Sequence, residues 1–249
     1  MVTQDLPDLR LGLIVKRSKK RDMGGQRNLT MAAYDSIKQM MLNYDIVPGQ
    51  RLIFVDLAKQ LGVSRTPVNN ALSILAKEGY LDFVPNQGYS VHKLTYQEAE
   101  ALYEIREIIE LGTIGKSIRK QTPESMEELL IKKVHYENSI TDRVHRQLFI
   151  LDAEYHASII GMIGNAFVVE RYRDICQRIF LRFRTEDLRL DRQREIVREH
   201  DAIYQALRSK DVEWAKRLIM EHNANAKQNL FAIIFQKNEA IEKLKQREP

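Results

Sequence analysis

Apolar positions along the chain follow two regimes that change near residue 95. In the first, helical spacing gives way to alternation. Residues 29–44 set Leu29, Ala33, Ile37, Met40, Met41 and Tyr44 on one stripe, which predicts a helix with Thr30 as its N-cap. Pro48-Gly49 then marks a turn. A helix over 56–61 turns Leu57, Ala58 and Leu61 inward and stops at Gly62, since glycine accepts the left-handed backbone of a helix end. The next helix takes Ser64 as N-cap and Pro67 in its first turn, where a missing N–H costs little. It buries Val68, Ala71, Leu72 and Leu75 and ends at Gly79. YLDFV and YSV read as a two-stranded ribbon around the turn PNQG.

Beyond Thr95 no segment alternates convincingly. Helical stripes follow at about 96–120, 123–140, 142–163, 166–189, 192–208 and 211–240, with breaks at Thr122-Pro123, Gly164-Asn165 and Ser209-Lys210-Asp211. The predicted fold class is mainly α: an N-terminal winged helix-turn-helix followed by an all-α helical bundle. The expected division is a flexible arm over 1–28, the winged module over 29–94, the helical domain over 95–240 and a tail over 241–249.

Charge sharpens this division. Residues 1–95 carry 13 Lys and Arg against 8 Asp and Glu, so the whole net charge of +5 lies in the segment with the winged module. Phosphate attraction is a charge effect, and the asymmetry suits DNA binding by that half. The cluster KRSKKR at 16–21 either touches phosphates or forms a solvated tail. With no apolar run of 18 residues, no signal-peptide pattern and the single cysteine Cys176, a membrane span is not expected, and a reducing cytoplasm is.

The turn GVSRTP offers Ser64, Arg65 and Thr66 at the start of a helix, where free amides and an arginine suit a phosphate or a guanine edge. An ordinary helical hairpin is the competing reading.

Polar residues interrupt three apolar stripes of the second half. Asp152 and His156, at i and i+4, share a face with Phe149, Ile159, Ile160 and Ile163. His200 sits between Ile196 and Ile203, and His222 between Leu218 and Ala226. Burying such groups unpaired costs roughly 2–7 kcal/mol each, so three helices doing so together point to a shared partner. One carboxylate and three imidazoles suit a divalent transition metal: zinc, nickel or manganese. Separately, each is equally an ion pair or a satisfied core histidine.

The first half resembles the GntR family of bacterial transcription regulators, whose motif runs close to VSRTPVREAL where this chain has VSRTPVNNAL. The likeness spans about residues 30–93. It implies that Arg51, Ser64, Arg65, Thr66, Asn69, Asn70 and the wing residues Gln87 and Gly88 face double-stranded operator DNA. Asn69 stands where the family usually has arginine and Asn70 where it has glutamate, so a shifted operator or a weaker contact is expected. The second half resembles the FCD domain of the FadR-like subgroup. DAEYH, EHDAI and MEHNA match its ligand pattern at Asp152, His156, His200 and His222. The resemblance implies a homodimeric regulator, commonly a repressor, with a metal (zinc foremost) that binds a small carboxylate or sugar-acid effector. Arg106, in LYEIREIIE, matches a position near the effector pocket; pairing with Glu110 at i+4 is its alternative role. The alternative function is a metal-dependent hydrolase or other metalloenzyme using the Asp/His₃ site.

Overall fold

A computed structural model of the chain describes residues 25–141, 146–183 and 190–236. Most of the expected arm and the C-terminal tail lie outside the described residues. The chain divides into two compact units, one up to His92 and one from Lys93.

In the first unit the elements are α1 (Gly25–Leu42), β1 (Arg51–Leu52), α2 (Phe54–Leu61), α3 (Arg65–Lys77), β2 (Leu81–Val84) and β3 (Gly88–Val91). Ile37 and Met41 of α1 bury completely, as do Val68, Ala71, Leu72 and Leu75 of α3 and Tyr80 just before β2. The apolar stripes thus pack as their spacing predicts, except at Leu29, which is exposed near the start of α1. Three details differ from the sequence expectation. Thr30 is not a cap: α1 begins at Gly25, and Thr30 lies buried within it. Ser64 holds the extended backbone of an N-cap, but its side chain makes no capping hydrogen bond. The ribbon has a third strand, β1, in the order β1-β3-β2, antiparallel throughout. Two residues are too few to show alternation, and the pairing of Arg51 with Ser90 forms only once the wing folds back.

Gly62 ends α2 at φ 67°, and its amide bonds back to Ala58 and Lys59. No atom lies within 4 Å of where a Cβ would stand, so only the backbone resists a side chain there. Gly62→Ala should therefore cost about 1–2 kcal/mol through left-handed strain alone, read as a lower denaturant midpoint at unchanged slope.

The second unit is all helical among the described residues: α4 (Tyr96–Lys120), α5 (Pro123–Asn138), α6 (Arg146–Gly161), α7 (Ala166–Phe180), α8 (Leu190–Arg208) and α9 (Val212–Phe231), the last followed by one π-helical turn, Ala232–Gln236. Local chemistry starts these helices. Thr95 and Glu98 form a capping box on α4, Thr122 and Ser125 one on α5 with Pro123 at its first position, and Asn165 and Asp211 cap α7 and α9. Helix α7 ends at Phe180, nine residues before the stripe's expected limit of 189. Ile114, Ile118, Leu129, Ile203, Leu207 and Ile219 fill one end of the bundle. With Tyr155 and Ile159 of α6 they fix α4, α5, α6, α8 and α9 against one another, and the polar interruptions of α4, α6, α8 and α9 meet in the same interior.

Candidate metal centre and DNA-reading face

Asp152 and His156 come from α6, His200 from α8 and His222 from α9. All three histidines are buried, and one ligand atom from each of the four residues lies within 4.8 Å of the others. His156 Nε2 stands 3.1 Å from His222 Nε2. Asp152 Oδ1 is 3.1 Å from His200 Nε2, 3.4 Å from His222 Nε2 and 3.9 Å from His156 Nε2. Donors at about 2.0–2.1 Å from a tetrahedral ion are roughly 3.3 Å apart, so the spacing and the donor chemistry fit a divalent transition metal.

The ring nitrogens turned away from this centre are partly held. His222 Nδ1 meets Glu199 Oε2 at 2.7 Å, and His156 Nδ1 lies 3.4 Å from Glu110 Oε1. Carboxylates in that position fix a ligating imidazole's tautomer and orientation. His200 Nδ1 is buried without a hydrogen-bond partner, and its ring stacks on Tyr155 with centroids 4.1 Å apart.

Arg106 makes the pairing with Glu110 that the sequence offered and also reaches Asp152. It bonds Glu110 Oε1 through Nε at 3.2 Å, and its Nη2 reaches Asp152 Oδ2 at 3.3 Å. The two oxygens of Asp152 are thus divided, Oδ1 toward the histidines and Oδ2 toward the guanidinium. Glu110 also accepts from Tyr172 and Asn223.

Charge follows this wiring. Burial pushes the Asp152 carboxyl up, but Arg106 and hydrogen bonds from His200 and His222 outweigh it and hold it well below the carboxylate range. Glu199, likewise raised by burial, is brought down to about 2 by His222 and Arg192. Burial lowers His200 to about 4 and, with His222 beside it, lowers His156 well below its ordinary value. His222 goes the other way: burial lowers it, but Asp152 and Glu199 together raise it. At neutral pH the cluster therefore offers the neutral imidazoles of His156 and His200 and the Asp152 carboxylate, while Asp152 and Glu199 favour the protonated form of His222.

A cleft opens beside the cluster, with Arg106, Asp152, His222 and Arg192 on its polar side and Leu148, Phe149 and Ile196 among its apolar walls. It holds about 480 Å³ of empty space, part of it open to solvent. The sequence reading missed Arg192. It grips Glu199 through two contacts of 2.7 Å, while its buried Nε has no partner. Glu199, also missed, lies seven residues along the same face of α8, a spacing that reads equally as an ordinary charged surface.

In the first unit, Ser64, Arg65, Thr66, Asn69 and Asn70 are all exposed, while Pro67, Val68, Ala71 and Leu72 between them are buried. One polar face of α3 thus points outward from its first turn. Arg51 is exposed on β1, Gln87 stands exposed in the β2–β3 turn, and Gly88 begins β3 at φ 84°. Among the described residues, no carboxylate pairs with Arg51 or Arg65.

A helix-turn-helix with a wing, presenting unpaired arginines and joined to a helical bundle, defines a DNA-binding regulator. The family of bacterial regulatory proteins named gntR matches residues 29–91, and the FCD domain matches residues 101–225. The chain belongs to the GntR family, carries an FCD domain and is a transcriptional regulator. It is 26% identical over 193 residues to the HTH-type transcriptional regulator YdhC of Bacillus subtilis (strain 168), covering 76% of this chain and 85% of that one. To the Nta operon transcriptional regulator of Aminobacter aminovorans it is 30% identical over 141 residues, 56% of this chain and 66% of the relative. The solved structure of McbR/YncC from E. coli shares the fold with a TM-score of 0.71 at 23% identity, over 82% of this chain and 97% of that one. These relatives lend no support to the hydrolase alternative.

Proposed function

We propose that the protein is a cytoplasmic, homodimeric repressor that reads a double-stranded operator with α3 and the wing. Its DNA affinity is set by a small carboxylate or sugar acid bound at a metal held by Asp152, His156, His200 and His222. The observation that carries this reading is the convergence of those four donors, all within 4.8 Å, beside a cleft. Such a metal, zinc foremost with nickel or manganese as alternatives, supplies positive charge and coordination positions for a carboxylate oxygen. The chain's own charges favour an anion once a cation is present. Asp152, Glu110 and Glu199 against Arg106 and Arg192 leave one negative charge, which a divalent ion reverses to one positive. Arg106 and the unpartnered Nε of Arg192 then offer donors for a second carboxylate oxygen.

On the DNA side, Ser64, Arg65 and Thr66 meet phosphates or base edges at the N-terminus of α3. Asn69 and Asn70 follow one turn later, where asparagine favours adenine, and Arg51, Gln87 and Gly88 contact the flanking backbone. Arg65→Ala should weaken binding to DNA from upstream of the protein's own gene by at least about tenfold at moderate salt, with the melting temperature unchanged. Fluorescence anisotropy across salt concentrations tests both points. A wild type with no salt-dependent specific complex overturns the operator reading, and an unchanged affinity in the variant removes Arg65 from the contact set.

A further inference from the structure

The cleft beside the metal centre has a charged side whose members are committed to one another. Arg106 holds Glu110 and Asp152, and Glu199 takes both Arg192 and His222. The other walls include Leu148, Phe149, Ile196, Ala226 and Leu230, with the amides of Gln193 and Asn229 among them. Gln193 Oε1 already accepts from the Tyr136 hydroxyl. Tyr103 completes the lining, and its hydroxyl differs from those of its neighbours. Tyr136, Tyr155 and Tyr172 are buried, and each donates to a partner: Gln193, the His200 carbonyl and Glu110. Tyr103 is only 7% exposed, yet its hydroxyl has no hydrogen-bond partner among the described residues. A buried tyrosine ordinarily finds one, because a dry, unpaired hydroxyl costs stability. Burial raises the Tyr103 pKa, so the group keeps its proton and stays a donor. It stands three residues before Arg106 on α4, a spacing that puts both on one helix face.

We propose that the cleft takes a monocarboxylic acid with a compact apolar body, aromatic or branched aliphatic, and that Tyr103 donates to its carboxylate. This rests on the metal-bound carboxylate proposed above and selects among the acids that reading allows. Arg192 Nε and the Tyr103 hydroxyl are two donors without an acceptor, and a carboxylate supplies one to each. An apolar body displaces water from Leu148, Phe149, Ile196 and Leu230. A sugar acid suits the charged side equally well and the other walls badly. It carries a hydroxyl on nearly every carbon, and two amides leave most of those hydroxyls facing hydrocarbon without the water they gave up.

Calorimetric titration of the zinc-loaded full chain with benzoate, phenylacetate, isovalerate, acetate and gluconate tests the assignment. At least one of the three apolar acids should bind about tenfold or more tighter than acetate, as burial of a small apolar group implies. Gluconate should gain nothing over acetate. Tyr103→Phe should weaken every bound acid about tenfold, since it removes a hydrogen bond to a charged group and leaves the ring in place. Metal content should stay the same and the melting temperature of the acid-free protein should not fall, because the lost hydroxyl had no partner. Ala226→Leu narrows the cleft from α9 and should remove the advantage of phenylacetate over acetate while acetate still binds. Gluconate bound tighter than all three apolar acids, or acetate bound as tightly as any of them, overturns the apolar class and leaves the metal-bound carboxylate intact. An unchanged affinity in Tyr103→Phe overturns the role of its hydroxyl. A zinc-loaded chain that binds none of the five acids overturns both this assignment and the effector reading beneath it.

Discussion

Asp152→Ala is expected to remove metal binding and to destabilise the second unit by about 3–5 kcal/mol, the usual consequence of breaking one half of a buried ion pair. The size follows from what Asp152 does with each oxygen. Oδ1 faces the three histidines, and Oδ2 accepts from the Arg106 guanidinium, which is only 5% exposed. Without the carboxylate, Arg106 keeps Glu110 as its one carboxylate partner among the described residues, and the histidines lose the charge that draws a cation among them. Metal affinity should fall at least about a hundredfold, since even indirect partners of metal ligands are worth roughly 10–100-fold. Asp152→Ala combined with Arg106→Met should recover part of the stability, because the stranded charge is gone, and none of the metal binding. Thermal melts with and without chelator, alongside a zinc competition titration, separate the two effects. A single variant that stays fully loaded, with an unchanged midpoint, contradicts Asp152 as a ligand.

The second large effect is a pH dependence with two opposed contributions. His200 has its folded pKa depressed to about 4, and His156 is depressed well below its ordinary value. The unfolded chain, with histidines near 6.5, therefore binds more protons than the folded one as pH falls below that value. Their contribution to stability is fully present above about pH 6.5 and is lost as pH falls toward 4. His222 is raised, so its contribution is full below about 6.5 and is lost as pH rises through its folded pKa. Chelator-treated protein should accordingly lose stability steadily below about pH 6.5, where the His222 contribution is already full and only those of His200 and His156 still change. Metal binding adds competition at His222, whose proton a cation displaces. Uptake near pH 6.5 should release up to about one proton per ion, and affinity should drop about tenfold per pH unit below it. Calorimetry in two buffers of different ionisation enthalpy reads the proton directly. Uptake without proton release, together with an affinity flat between pH 5.5 and 6.5, would exclude His222 as the exchanging ligand.

How much of this was legible in the sequence depends on how each residue stands out from its neighbours. Asp152, His156, His200 and His222 were visible because each replaces an apolar residue on a stripe that must face a core, and burial of all three histidines bears the stripes out. Glu199 and Arg192 were not. In LDRQREIVREH they are two of six charged residues among eleven, and only the packing of α9 against α8 turns Glu199 toward His222. Glu110 was seen only as a partner for Arg106, since its approach to His156 joins residues 46 apart in the chain. In the first unit the apolar stripes and the glycine stops were enough to outline α2, α3 and the wing. Strand β1 was hidden by its length, and Thr30 was misread because a threonine before an apolar run resembles a cap even when the helix begins earlier.

The most direct test is the mass of the intact protein under native conditions after equilibration with zinc and removal of the excess. The account predicts one divalent ion per chain, lost from His200→Ala with His222→Ala, and a two-chain assembly for the wild type. A wild-type chain that retains no ion, or a double variant that retains it fully, would contradict the metal centre on which the proposed control of DNA binding depends.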